Sequence, residues 1–275
     1  MNKEQILYED NDIIVCYKPA GIATQTDRVG QRDMVSEVTN YLVSRISNHS
    51  RANCVNDIYT DMSNVHVGGS NMIVRLVHRL DQPVEGILVF GKNQKAAGAL
   101  SRQIVENRME KDYYAAVSGR KLSGMPASEG MRMEKLTDYL LKDNKGNMSC
   151  VVPPGTKGAK KAVLEYEVLE KKALVLENCS EKIQDGEGSR AIALIQIRLI
   201  TGRHHQIRAQ MSHAGISLLG DYKYADEQTK KLSDDLGQKQ IALCAYRLAF
   251  AHPVTGKRLS FQKNPEGRIF QNFSI

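Results

Sequence analysis

The chain is poor in the features that mark secreted, membrane-spanning or common nucleotide-handling proteins. Its five cysteines, at 16, 54, 150, 179 and 244, are odd in number, widely spaced and without a C-x-x-C pair. That excludes a disulfide framework and a zinc ribbon and points to a reducing compartment. Residues Met1 to Gln5 carry no apolar h-region, and nothing approaches the run of ~18 apolar residues that a membrane-spanning helix needs. A cytoplasmic chain with no membrane partner is the expectation. There is no G-x-x-x-x-G-K-S/T, no G-x-G-x-x-G after a strand, no G-x-S-x-G and no H-E-x-x-H. Nucleotide hydrolysis, dinucleotide redox chemistry, serine acyl transfer and zinc proteolysis thus lack their usual carriers. Repeats, low-complexity segments and obvious linkers are also missing, so the 275 residues are read as a single domain, 1–275.

What is present is an ordinary globular composition, 41% apolar and 25% charged, with a net charge of +7. The charge favours a polyanionic partner, although many proteins without one are as basic. The chain is organised around residues 73–90, IVRLVHRLDQPVEGILVF. Two short runs of β-branched and aliphatic residues flank His78-Arg79-Leu80-Asp81-Gln82-Pro83, which reads as strand, loop, strand. A carboxylate and two basic side chains then stand where buried strands emerge. A surface turn held by an Arg–Asp ion pair is the alternative.

Residues 6–18 read as two strands around Asn11-Asp12, and Lys18-Pro19-Ala20-Gly21 as a rigid turn. Met34–Ile46 has helical spacing, and 47–70 reads as a long loop or insertion. Asn93 is placed to cap a helix running to about Asn107. Strands are expected at 111–117, where one of Tyr113 and Tyr114 should face in, and at 162–168, 191–200, 241–251 and 258–262. The basic, turn-rich segment 118–161 suits a hairpin that tracks a phosphate backbone, or simply a solvated loop. The acidic segment 178–189 reads as a hairpin turn. With strands predominating and no βαβ regularity, the fold class is α+β with a largely antiparallel sheet.

The segment Thr201-Gly202-Arg203-His204-His205-Gln206-Ile207-Arg208 leads into a short helix stopped by Gly215, and its first turn is read as carrying Arg203, His204 and His205. Cations there oppose the helix dipole unless an anion binds, which hints at a phosphate contact. Metal ligation by His204, His205 and His213 is not expected, because adjacent histidines on a helix point apart.

These stretches together resemble the RluA-type RNA pseudouridine synthases. His78-Arg79-Leu80-Asp81 with Gly86-Ile87-Leu88-Val89-Phe90 resembles the family signature. Glu9-Asp10 with Lys18-Pro19-Ala20-Gly21, Lys111-Asp112-Tyr113, the arginine segment 201–208 with Gly220-Asp221, and His252-Pro253 with Thr255-Gly256 resemble the family's other motifs, in family order. The resemblance implies an α+β fold, a mixed, mostly antiparallel β-sheet with flanking helices and a central RNA-binding cleft. It implies isomerisation of uridines in ribosomal or transfer RNA after base flipping, by a monomer with no cofactor and no obligate protein partner. Asp81 would be the catalytic carboxylate, Tyr113 the ring packed on the uracil and Arg208 the partner of Asp81. Arg79 would fill the space left by the flipped nucleotide, and Leu243 would pack in the same pocket. His78, Arg203, His204, His205 and Gln206 complete the expected substrate-binding set.

Three positions depart from the family's usual pattern. Val84-Glu85 stand where Thr-Ser usually precede the glycine, Tyr17 replaces a common Asn, and Cys244 replaces a frequent His. The N-terminal S4 domain of some relatives is not expected here. Two further readings remain: an RNA-binding or RNA-remodelling protein on the same fold without chemistry, and an Asp/His hydrolase using His78 and Asp81. The second is the poorer, since on a strand those two side chains would face opposite ways and no nucleophile accompanies them.

Overall fold

The computed structural model describes residues 1, 3–28, 30–50, 66–67, 70–71, 74–123, 133–174 and 191–275. In chain order the strands are β1 (Ile6–Glu9), β2 (Ile13–Lys18), β3 (His66–Val67), β4 (Ser70–Asn71), β5 (Arg75–Leu76), β6 (Glu85–Gly91), β7 (Glu110–Ser118), β8 (Glu134–Asp143), β9 (Met148–Val152), β10 (Lys160–Ala173), β11 (Ala191–Leu199), β12 (Ser217–Leu218), β13 (Leu243–Ala251) and β14 (Arg258–Gln262). The α-helices are α1 (Met34–Ser50), α2 (Gln94–Val105), α3 (Arg120–Ser123), α4 (Gln206–His213) and α5 (Glu227–Asp235). The chain divides into two compact units, Met1–Glu110 with Arg247–Lys263, and Lys111–Tyr246 with Asn264–Ile275.

In the first unit β2 is the middle strand between β1 and β6, with Ile13 opposite Gly91 and Lys18 opposite Gly86. Every residue of β2 and of β6 is buried, as expected of continuous apolar runs rather than alternating ones. β5 pairs with β6 at Arg75–Gly91 and Leu76–Phe90, so the expected strand, loop, strand around Asp81 is present, the first strand being shorter than its apolar run. Helix α2 begins where its cap predicts: Asn93 Oδ1 accepts from Ala96 N at 2.8 Å, and Ala96, Ala97 and Leu100 are buried. The late segment is tied back to the early one. The Gln103 amide donates to Ala251 O at 2.7 Å and accepts from Ala251 N at 2.8 Å. His252 lies 2.8 Å from Asp10, and Arg247 and Arg258 both reach Glu110.

In the second unit the strands follow the order β7, β11, β10, β8, β9, each neighbour antiparallel, with β12 added to β7. β10 is longer than its clean alternation suggested, continuing through Lys171 and Lys172 after a bulge between Val168 and Glu170. The basic stretch does contain a hairpin, β8 to β9, from Tyr139–Val152 to Asp143–Met148. The ladders just named are antiparallel, and one isolated parallel bridge joins Ala23 to Asp33. The class is α+β with a mixed, mostly antiparallel sheet. The acidic turn read at 178–189 and most of the loop read at 47–70 lie outside the described residues, while 47–50 prolong α1.

Candidate active site

Asp81 opens a turn closed by Val84 N donating to Asp81 O at 3.0 Å, with Pro83 inside it. Its side chain is half-buried, between the buried Leu80 and the exposed Gln82. The backbone on both sides of Asp81 is pinned by residues 18–24. Thr24 Oγ1 donates to Leu80 O at 2.8 Å and accepts from Leu80 N at 3.1 Å. Gly21 N donates to Gln82 O at 2.9 Å, and the Gln82 amide returns a bond to Gly21 O at 3.0 Å. Lys18, fully buried, donates from Nζ to Gln82 O, Pro19 O and Ile22 O at 3.0, 3.0 and 2.6 Å. The rigid turn expected at Lys18-Pro19-Ala20-Gly21 is thus the clamp of the Asp81 turn.

Burial pulls the Lys18 ammonium down to about 8, against the opposing pull of Asp81 and Glu85, both close enough to favour its charge. Glu85 is itself buried and accepts from Tyr17 Oη at 2.8 Å. Two of the three departures from the family pattern, Tyr17 and Glu85, are therefore one hydrogen-bonded pair. Lys263 Nζ lies 4.3 Å from the centre of the Tyr17 ring.

His78 and Asp81 do not lie on a strand, which corrects the reason given against a hydrolase. The better reason is local: His78 Nε2 accepts from Val89 N at 3.2 Å, so this nitrogen anchors β6 rather than acting as a base. Arg79 is exposed.

In the second unit Tyr113 is buried on β7 opposite Ile197, and Tyr114, on the other face, stacks on Tyr246 at 3.7 Å and 9°. Strand alternation separated the two rings as expected. Arg208, buried on α4, meets Asp221 through two hydrogen bonds of 2.7 Å, and its guanidinium lies 4.9 Å from the Tyr224 ring centre. Asp221 Oδ1 also accepts from the amides of Lys223 and Tyr224, at 3.2 and 3.3 Å. Leu243 is buried at the start of β13.

The start of α4 differs from the sequence reading. The helix begins at Gln206, and Arg203, His204 and His205 precede it. His205 takes a left-handed conformation, φ 50°, and this turns its ring onto His204 at 3.8 Å instead of pointing it away. From the first helical position Gln206 ties down the residues before the helix: its Oε1 accepts from Arg203 N at 2.9 Å and Thr201 Oγ1 at 2.8 Å, and its Nε2 donates to Val163 O and Gln210 Oε1. Gln206 and His205 are buried and shape the segment, and Arg203 is exposed. His204 bridges to the β8–β9 hairpin, through Ser149 at 3.0 Å and Asn147 at 3.1 Å.

Among the described residues one trio, Asp10, Asp12 and His252, has the spacing of a metal site. His252 Nδ1 accepts from the amides of Val254 and Thr255 at 3.3 and 3.1 Å, which leaves the proton on Nε2, donated to Asp10. The ring therefore offers no lone pair there, and the trio is a structural latch. Sequence reasoning missed Lys18, Thr24 and Tyr224. Only Lys18 carried a signal, a charged residue ending an otherwise apolar strand.

A family model described as RNA pseudouridylate synthase matches residues 12–213. The chain is 31% identical to the uncharacterized RNA pseudouridine synthase YlyB of Bacillus subtilis, covering 94% of this chain and 67% of that one. It is 27% identical to tRNA pseudouridine synthase C of Pasteurella multocida, covering 93% and 89%. It is 29% identical to ribosomal large subunit pseudouridine synthase D of Zymomonas mobilis, covering 94% and 68%. Among solved structures, human RNA pseudouridylate synthase domain containing 4 shares the fold with TM-score 0.62 at 19% identity, over 98% of this chain and 90% of that one. Matched by the family model over residues 12–213, most of its length, the chain belongs to the RNA pseudouridylate synthase family.

Proposed function

We propose that this chain isomerises uridine to pseudouridine in transfer or ribosomal RNA, with Asp81 as the catalytic carboxylate. The observation that carries the reading is the clamp: a half-exposed aspartate on a turn whose backbone is held on both sides by Lys18, Gly21 and Thr24. A reaction that must place one carboxylate against an extruded base needs that fixity. Tyr113 supplies the ring on which the uracil packs, Arg208 the cation that partners the carboxylate, and Leu243 a wall of the pocket. Arg79 fills the space that the flipped nucleotide leaves, and the remaining expected residues, His78, Arg203, His204, His205 and Gln206, shape or contact the RNA path.

The chemistry is self-contained. The N1–C1′ bond breaks, the ring rejoins the sugar through C5, and the C5 proton is released while N1 gains one. Nothing is oxidised, so the reaction calls for no cofactor. Extruding the base costs a few kcal/mol, of which stacking on an aromatic ring returns ~1–3 kcal/mol. A glycosidase would need two carboxylates and a placed water, whereas this reaction needs one carboxylate and water kept out. The substrate class rests on the named relatives, which include enzymes of transfer RNA and of the large ribosomal subunit. The reading includes a cytoplasmic monomer acting as one catalytic domain. No helix among the described residues is long and apolar enough to cross a membrane.

The test is tritium release from transfer and ribosomal RNA transcripts labelled at uridine C5, with the wild type and Asp81→Asn. Release by the wild type alone is expected, with RNA affinity little changed in the variant because phosphate contacts dominate binding. Equal release by both proteins would remove Asp81 from the chemistry. Salt-sensitive binding without any release would favour a non-catalytic RNA-binding role.

A further inference from the structure

Three residues of the arginine segment and α4 converge on Tyr224, which has no part in the chemistry proposed above. His205, just before α4, and Arg208 and Ser212 within it follow at intervals of three and four, the spacing of one helical face. The Arg208 guanidinium lies over the Tyr224 ring, 4.9 Å from its centre, and the His205 ring meets it edge-on at 5.7 Å and 84°. Ser212 Oγ donates to Tyr224 O. Tyr224 N donates to Asp221 Oδ1 at 3.3 Å, so the same residue braces the carboxylate that grips Arg208. The Tyr224 hydroxyl reaches a different element. It accepts from Ser149 N, on β9, at 2.7 Å and stands 2.9 Å from His205 Nδ1. Ser149 is buried, and a buried amide needs such a partner. The β8–β9 hairpin to which Ser149 belongs carries the exposed cations Lys142 and Lys145.

We propose that Tyr224 is a positioning residue that couples the β8–β9 hairpin to Arg208: its hydroxyl holds the hairpin's Ser149 amide, and its ring face seats the guanidinium. The proposal rests on the reading of Arg208 as the cation that partners the catalytic carboxylate. The two ends of the side chain do different work. Asp221 grips Arg208 through two bonds to its edge, which resist rotation within the guanidinium plane and do little against tilting out of it. A ring set against one face resists that tilt, because the cation is attracted to the electron-rich face of the aromatic. The hydroxyl ties β9 to the same ring. A hairpin seated on RNA and a guanidinium set for the carboxylate are thus held by one side chain. A tyrosine that merely filled space would serve as well whatever the electron density of its ring.

The experiment replaces Tyr224 by phenylalanine and by phenylalanines bearing one, two or three ring fluorines, which drain the ring face while keeping its shape. Single-turnover tritium release at rising RNA concentration gives a saturated rate and a half-saturating concentration. Tyr224→Phe keeps the ring and loses the hydroxyl, so half-saturation should rise about fivefold while the saturated rate stays within about twofold of wild type. Fluorination should then lower the saturated rate step by step, by about tenfold at three fluorines, with no further change in half-saturation. A saturated rate indifferent to fluorine, or a half-saturation unchanged in Tyr224→Phe, overturns the coupling. The 15N–1H resonance of Arg208 Nε, identified by its loss in Arg208→Lys, is followed through the same series without RNA and should shift with each fluorine. No release by the wild type from any transcript overturns the catalytic reading instead. The Arg208 resonance then decides whether the ring seats the guanidinium, and one that stays put overturns the proposal as well.

Discussion

Arg208 and Asp221 form a buried, two-pronged ion pair, Nε 2.7 Å from Oδ2 and Nη2 2.7 Å from Oδ1. Such a pair fixes the plane of the guanidinium, which is what a cation needs if it is to meet a second group at a set angle. It does not follow that the pair stabilises the fold, because two charges have been taken out of water. Removing one partner is the costly change. Asp221→Leu should destabilise by about 3–5 kcal/mol in urea denaturation. Arg208→Met combined with Asp221→Leu should recover most of that loss while turnover stays absent. A double variant no more stable than Asp221→Leu would show that folding itself depends on the pair.

Gly220 sets where Asp221 begins. Its φ is +74°, and a Cβ there would lie 1.9 Å from the carbonyl oxygen of Gln240, a backbone atom that cannot step aside. Gly220→Ala therefore combines left-handed strain of about 1–2 kcal/mol with an overpacking cost of about 1–3 kcal/mol. The expected outcome is a loss of about 2–5 kcal/mol, with activity falling further than stability because Asp221 moves with the backbone. Activity unchanged at a temperature where the variant is folded would show that Arg208 tolerates a displaced Asp221.

The parts legible in the sequence are those that depend on side-chain pattern. The short apolar runs at 13–17 and 86–90, bounded by turn residues, read as strands, and Asn93 before an apolar stripe reads as a cap; both are so in the structure. The parts not legible depend on pairing across the chain. Nothing in Lys18-Pro19-Ala20-Gly21 says that Lys18 donates to Gln82 O, 64 positions away. Nothing local says that Gln206, rather than a Ser, Thr, Asp or Asn before it, takes the Arg203 amide and so moves the helix start three residues on. The polar pattern at Lys171-Lys172 hid the end of β10, because strand pairing there is backbone work, with Lys171 opposite Ala193 and Lys172 opposite Ile192.

Arg203 and the hairpin cations make the RNA contacts testable without knowing the substrate site. Arg203 is exposed, its Nε anchored on Lys161 O at 2.9 Å, and Lys142, Lys145, Lys157 and Lys160 are exposed nearby in sequence on β8, β10 and their connections. Arg203→Gln should weaken binding to every RNA by a similar factor and lower the slope of log affinity against log salt by about 0.7–0.9. Filter binding across a salt series reads this directly. An unchanged slope would mean that Arg203 does not meet phosphate.

Lys18 makes a prediction about stability with a definite sign. Its ordinary value is 10.5 and burial lowers it to about 8 in the folded chain. Between these values the unfolded chain holds a proton that the folded chain has released. Stability then rises with pH, because the unfolded state binds more protons. Below about pH 8 the ammonium is charged in both states and the full burial penalty applies. Relative to Lys18→Met, the wild type should therefore gain stability as pH climbs from about 8 to 10.5, by about 3 kcal/mol in all. The comparison cancels the other groups that titrate in that range, provided they are far from residue 18. Urea melts of both proteins at intervals across the range measure it. A constant difference would show that the Lys18 ammonium titrates in the folded chain as it does in water.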